Sequence, residues 1–316
     1  VPIWDKLSET GARICRHTAP DVAATPARST QNRERRSVSQ PQHKMLRSPG
    51  LPTRIKAHSP RRRIAERTAE MATTTAVKPL SAFSYVTFDV VGTLIDFEGA
   101  IKDGLAMIAE REGIDIDGEA ALSVYRDARY EPGAGLFPDD LGRCYSRIAA
   151  AFGLPDTEDY RQLMIDTVGE AKPFADSVEA MARLKGRYKL IAMTNARRWA
   201  FEKYAEKLGQ PFWAGFTTDD TGCEKPDPAF FEQVFAHVGQ DGGSKHTILH
   251  TAQSQYHDIG ISRALGMTNV WIQRRHAQQG YGGTIEPKDF TEPDYHFHAL
   301  IELARAADAA FDAQSS

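Results

Sequence analysis

Most of the residues in this chain that could do chemistry stand in four short clusters, each beside an apolar, β-rich run. Asp89 follows Ser84-Tyr-Val-Thr-Phe and opens Asp-Val-Val-Gly-Thr-Leu-Ile-Asp, with Gly92-Thr93 forming a turn behind it. Thr194 and Asn195 end the run Leu190-Ile-Ala-Met, and Lys225 lies in Cys223-Glu-Lys-Pro-Asp-Pro-Ala-Phe-Phe231. Gln253, Gln255, His257 and Asp258 follow Thr247–Ala252. A carboxylate at the mouth of a buried strand is costly to desolvate unless it is paired or has a task. Two carboxylates, an ammonium and small hydroxyl groups together suit nucleophilic or acid–base chemistry. The competing readings are structural. Asp89 could be a helix N-cap, and Thr194-Asn195 is good capping chemistry at a strand end. Lys225 could be a surface lysine ahead of a helix that Pro226-Asp227-Pro228 starts with a favourable dipole partner.

These clusters meet only if the runs before them lie side by side and point the same way. The hydrophobic pattern predicts strands at Ser84–Val91, Lys189–Thr194, Phe212–Thr218, Thr247–Ala252, Thr268–Gln273 and Tyr295–Phe297. Helices are predicted from about Glu98 to Glu112, over two or three segments between Gly118 and Val168, and at Phe174–Arg187 capped around Asp176. Others follow at Arg197–Leu208, Pro228–His237, His257–Leu265 and His298–Phe311. Strands alternating with helices imply an α/β fold, a Rossmann-like three-layer core on a parallel sheet with right-handed crossovers. The stretch of about 101–170 has helices and no strand, so it is expected as a helical cap inserted in a hydrolase domain of residues 76–316. In such sheets ligands gather at the carboxyl ends of the strands, where all four clusters fall.

With these motifs in this order, the chain resembles the haloacid dehalogenase superfamily over roughly residues 83–312, most of all its L-2-haloacid dehalogenase branch. The resemblance implies a hydrolase with Asp89 as nucleophile, forming a covalent aspartyl intermediate that water hydrolyses. It implies a catalytic set of Asp89, Thr93, Thr194, Lys225 and Asp258. Asn195 matches the residue that donates its amide to a departing halide. Arg126, in Ala-Leu-Ser-Val-Tyr-Arg, matches by context a cap arginine that reaches the substrate carboxylate or the halide, with Arg129 one helical turn on as the alternative. Val91, Phe231, Gln253 and Gln255 fall at the remaining substrate, halide and water contacts. There the branch usually has Tyr, Tyr, Ser and Asn.

Phosphatase relatives place an Asp two residues after the nucleophile, where this chain has Val91, and hold Mg²⁺ with two acids, the first of which is Gln253 here. A hard divalent cation wants several anionic oxygens, and an alkoxide leaving group wants a proton donor. A halide leaves as a stable anion and needs neither. The expected reaction is therefore hydrolytic dehalogenation of small 2-halocarboxylic acids, with no metal and no cofactor. One alternative is a Mg²⁺-dependent phosphatase using Asp89, the Val91 carbonyl and Asp258. The other is a non-catalytic, ligand-binding or scaffolding relative. His257 is a candidate for a supporting role beside Asp258, while His246, His250, His296 and His298 read as structural.

The formal charge of −3 hides an asymmetry: residues 1–70 carry 15 Lys and Arg against 6 acidic residues, leaving a net −12 on the rest. An acidic body argues against nucleic acid as the main partner. No apolar run is long enough for a membrane span. Three distant cysteines, Cys15, Cys144 and Cys223, form neither a disulfide framework nor a metal-ligand spacing, which fits a reducing, cytoplasmic setting. Residues 1–75 are rich in Arg, Ser, Thr, Pro and Gln, and are expected to be a disordered extension. Met71-Ala-Thr-Thr-Thr reads as a natural start; a transit peptide and a basic arm for nucleic acid or anionic lipid are the other readings. The expected partner is a small-molecule substrate, and the resemblance implies a homodimer.

Overall fold

The computed structural model describes residues 77–315. The basic segment read as a disordered extension lies outside the described residues. Among the described residues six strands are formed: β1 Tyr85–Phe88, β2 Lys189–Met193, β3 Ala214–Phe216, β4 Ile248–Ala252, β5 Thr268–Ile272 and β6 Tyr295–Phe297. They make one sheet in the order β3-β2-β1-β4-β5-β6, with every neighbouring pair parallel. β1 is central. The chain leaves it for β2 on one side and returns to β4 on the other, which makes a crevice at the carboxyl ends of these three strands. The register sets Phe88 beside Ala192 and Thr251, and Thr87 beside His250.

Side chains alternate across the sheet, as the pleat requires. Val86, Phe88, Leu190 and Leu249 enter one core, shared with the helices that follow β1. Tyr85, Ile191, Met193 and Ile248 enter a second core on the opposite face. That second face is covered by α8 Pro228–Gln240 and α9 Gly260–Ala264, reached after α5 Ser177–Lys185, α6 Arg198–Lys207 and the short α7 Thr218–Thr221. The chain ends in α10 Leu300–Ser315, which packs on the first face against α5.

Between β1 and β2 lie α1 Phe97–Glu112, α2 Gly118–Ala128, α3 Leu141–Phe152 and α4 Glu158–Gly169, the helical cap. Three of the four starts, those of α1, α2 and α4, carry a side-chain cap. The Asp96 carboxylate accepts from Gly99 N–H at 2.9 Å, Asp117 accepts from Glu119 and Ala120, and the Thr157 hydroxyl accepts from Tyr160 N–H. Ile101, Leu105 and Ile108 recur at helical spacing on α1 and are fully buried.

Two helices depart from expectation. The segment predicted from Phe174 begins only at Ser177, and Asp176 does not cap it. Its Oδ2 instead accepts from the first amides of α10, Leu300 at 2.7 Å and Ile301 at 3.2 Å, while Oδ1 takes Arg274 at 2.8 Å. The helix predicted over His257–Leu265 begins as a wide π-turn, Gln255–Ile259, before tightening into α9. Such turns are frequent at functional sites, and this one carries Asp258.

Candidate active site

Asp89 follows β1 directly, and its N–H donates to Thr251 O on β4 at 3.0 Å. A tight loop then turns back, with Leu94 and Ile95 N–H both donating to Val90 O. Gly92 sits in this loop at φ +91°, where an added Cβ would meet the Phe97 ring at 3.1 Å. The loop returns Thr93 to Asp89: its hydroxyl donates to Asp89 Oδ2 at 2.6 Å and accepts from Gln253 N–H at 2.8 Å. The Lys225 ammonium donates to Asp89 Oδ1 at 3.0 Å and to Asp258 Oδ1 at 2.6 Å. All four side chains are buried.

Burial pushes the Asp89 carboxyl above its ordinary 3.8; the Lys225 ammonium opposes that rise and the charge of Asp258 adds to it. For Asp258 burial also works upward, but Lys225 and the His250 contact prevail and bring it down to about 2. Desolvation works against the charged form of Lys225, yet its two carboxylate partners outweigh this and hold the ammonium charged. An ionised Asp258 and a fixed cation beside Asp89 result.

Asp89 and Asp258 each already give one oxygen to the Lys225 ammonium. Val91 contributes no carboxylate and Gln253 no anionic oxygen. Among the described residues no cluster of three His, Cys, Asp or Glu side chains could hold a metal ion.

The other candidates are placed less simply. Asn195 was expected to face a leaving halide. Its Oδ1 accepts from Lys225 N–H at 2.7 Å and its Nδ2 donates to Lys225 O at 2.9 Å, so the amide pins the lysine backbone and keeps one N–H for another partner. Thr194, expected on the nucleophile's oxygens, accepts from Ala196 N–H at 3.2 Å; among the described residues Asp89 is held by Thr93 and Lys225. Phe231 is fully buried in the second core, edge-on to His250 with ring centroids 5.5 Å apart, so it offers a substrate no surface. It belongs to α8, whose apolar face must cover the sheet. Val91 stays half-buried in the loop after Asp89. Gln255 is buried and accepts from Thr291 N–H at 3.1 Å. Arg126 donates to Gly282 O at 3.1 Å, and Arg129 is held by Asp140 and Gly135 O, both at 2.7 Å. His257 is held neutral by burial, which lowers it to about 4, and its Nδ1 lies 3.1 Å from the Ser254 hydroxyl rather than on Asp258.

His250, read as structural, joins the cluster. Fully buried on β4, it lies with Nε2 3.2 Å from Asp258 Oδ1 and Nδ1 2.8 Å from Thr87 Oγ1. The available signal was two polar residues, Thr87 and His250, at inner positions of mostly apolar strands.

The loop after β5 ties cap to core. Arg275 is bonded to Glu98 at the start of α1 and to Glu119 on α2 at 2.7 Å, and Gly283 N–H donates to Glu98 Oε1 at 2.8 Å. Under this loop lies a cavity of about 120 Å³ whose walls include Gly92, Phe97, Gln253 and Thr284. A wider open cleft of about 860 Å³ along α1 and α4 contains none of the clustered residues, so volume does not select the site. At Gly282, φ is +55°, and an added Cβ would press directly on Glu98 Oε1 and Arg275 Nη1. Gly282→Ala is therefore expected to destabilise the fold by about 1–3 kcal/mol, read from urea unfolding. An unchanged midpoint would mean that the loop does not clamp the cap.

A family model of haloacid dehalogenase-like hydrolases matches residues 83–250, more than half of the chain. Among solved structures, the L-2-haloacid dehalogenase PA0810 is 21% identical, covering 72% of this chain and 99% of its own, with a TM-score of 0.59. The L-2-haloacid dehalogenase of Xanthobacter autotrophicus with chloropropionic acid covalently bound is 17% identical, covers 72% and 98%, and has a TM-score of 0.57. YfnB of Bacillus subtilis, described as a HAD-hydrolase and solved bound to magnesium, is 20% identical, covers 72% and 99%, and has a TM-score of 0.57. At these identities the likeness is one of fold. No curated protein matches the chain significantly.

Proposed function

Because this chain belongs to the haloacid dehalogenase-like hydrolases, we propose that it dehalogenates small 2-halocarboxylic acids through an ester on Asp89, without a metal. The observation that carries this reading is the Lys225 ammonium bonded to both Asp89 and Asp258. It neutralises the nucleophile, while Val91 and Gln253 stand where the phosphatase alternative needs acids, so the residues present do not fit Mg²⁺. Val91 likewise provides no acid for an alkoxide leaving group. A halide needs none.

In the proposed reaction an oxygen of Asp89 attacks C2 in line, and the carbon–halogen bond breaks with its electron pair leaving on the halide. Holding nucleophile and carbon in line contributes roughly 7–11 kcal/mol towards this step. Arg126, whose guanidinium reaches the Gly282 carbonyl under the cap, is assigned to the substrate carboxylate; Arg129 is committed to Asp140. Asn195 keeps one N–H for the halide. Water then adds to Cγ of the ester, giving its first proton to Asp258 Oδ2, which is buried and has no partner. Collapse breaks the bond from Cγ to the hydroxy-acid oxygen, that oxygen takes the proton from Asp258, and the Asp89 carboxyl ionises again.

The test is halide release from L- and D-2-chloropropionate, with and without chelator. Release from the L form alone, unaffected by chelator, is the expected result. Release that needs Mg²⁺, or phosphate-ester hydrolysis that needs it while halide release is absent, would overturn the reading.

A further inference from the structure

We propose that His250 is a positioning residue for the hydrolytic half of the reaction: its Nε2–H fixes the Asp258 carboxylate so that Oδ2 faces the attacking water. The inference rests on the ester reading for its kinetic consequence and on geometry for everything else.

An ionised carboxylate only accepts hydrogen bonds. At 3.2 Å from Asp258 Oδ1, His250 Nε2 must therefore carry a proton. With Nε2 protonated, the other ring nitrogen, Nδ1, lies 2.8 Å from Thr87 Oγ1. The sheet register sets this contact, because Thr87 on β1 and His250 on β4 are paired directly across the ladder. Phe231 closes the α8 side with an apolar edge.

The consequence falls on Asp258. Both Lys225 and His250 bond its Oδ1, and Oδ2 is left buried without a partner. An orphaned acceptor of this kind is expensive unless something occupies it during the working cycle. Lys225 is a single point donor shared with Asp89, so it fixes the position of Asp258 Oδ1 but not the rotation of the carboxylate about it. The imidazole, locked at both nitrogens, keeps Asp258 in place. Alkylation of Asp89 does not use Oδ2; hydrolysis does.

The test uses the full chain with His250→Phe and His250→Gln. Phe keeps an aromatic of similar shape and loses both polar contacts, whereas Gln keeps a donor that can reach Asp258. In rapid-quench experiments on L-2-chloropropionate, His250→Phe is expected to release about one equivalent of halide in a burst. Steady-state turnover should then fall roughly 10- to 100-fold, part of what a positioned general base contributes. Intact mass spectrometry should show the Asp89 ester accumulating. His250→Gln should restore most of the turnover without the accumulation. Normal turnover in the Phe variant, or loss of the burst together with turnover, would overturn the proposal, as would a folded Gln variant that behaves like Phe. Nitrogen-15 NMR of the histidines separates this from the reaction assignment. If the wild-type chain releases no halide, the dehalogenase reading fails. A His250 ring protonated at Nε2 would still uphold the positioning, and one protonated only at Nδ1 would sink it.

Discussion

Asp89→Asn is expected to lose roughly 10⁴-fold or more in halide release, the order found when a lone covalent nucleophile is removed, while the folded protein becomes no less stable. The first half follows from chemistry. An amide retains the shape of the carboxylate but not the charge that attacks C2. The second half follows from the sign of the pKa shift. Burial raises Asp89 above its unfolded value, so the folded state binds that proton more tightly. Above the raised pKa, ionised Asp89 therefore costs stability, and the cost disappears as pH falls through that pKa. Removing the ionisation at neutral pH relieves the cost, and Lys225 keeps Asp258 as its counter-charge. The same shift is expected to place the acid limb of kcat/KM in the wild type above the ordinary 3.8 of an aspartate, because the proposed attack needs ionised Asp89. The measurements are halide release, thermal unfolding at neutral pH, and a single turnover in ¹⁸O-water. The last should place label in the peptide carrying Asp89. Label found only in the hydroxy acid would mean that water attacks C2 directly and no ester forms.

The cluster of Asp89, Thr93, Lys225 and Asp258 was legible because three of the four follow an apolar run directly or within a few residues. A parallel sheet carries such positions to one edge whatever lies between them. The last strand, Tyr295–Phe297, was legible for the same local reason. What escaped reading depends on distance along the chain. Thr87 and His250 are 163 residues apart, and only the register of β1 on β4 brings them into contact. Glu98 and Arg275 are 177 apart and meet because the loop after β5 crosses to the cap. Neither pair leaves a periodic trace. Asn195 and Phe231 show a different limit. Position along a motif says where a side chain begins, but not whether its polar atoms turn to a neighbouring backbone, as Asn195 does, or its ring turns into a core. Asp176 fails in the same way: it stands at the start of one helix and caps another.

Lys225→Met should be the most damaging single change for the fold as well as for activity. The methionine stem matches the buried lysine stem in bulk, so the loss is almost wholly electrostatic. Asp89 and Asp258 would be left in the interior without their cation, a cost of about 3–5 kcal/mol for breaking a buried pair. That cost should depend on pH in a defined direction. In the wild type Asp258 is held down to about 2, so its contribution to stability is full above its ordinary 3.8 and is lost as pH falls through about 2. Without Lys225 burial prevails for both carboxylates and their folded pKa values rise. The variant is then most handicapped at neutral pH, and the gap to the wild type narrows as acid protonates the two groups. Two carboxylates this close would also share one proton, so Asp89 would stay neutral well into the working pH range and alkylation would stop. Urea unfolding of both proteins between pH 4 and pH 8 reads the gap, and quench-flow reads the halide burst. A gap that stays constant with pH would mean that Lys225 stabilises the fold by packing alone, and a burst of normal size would mean that Asp89 ionises without it.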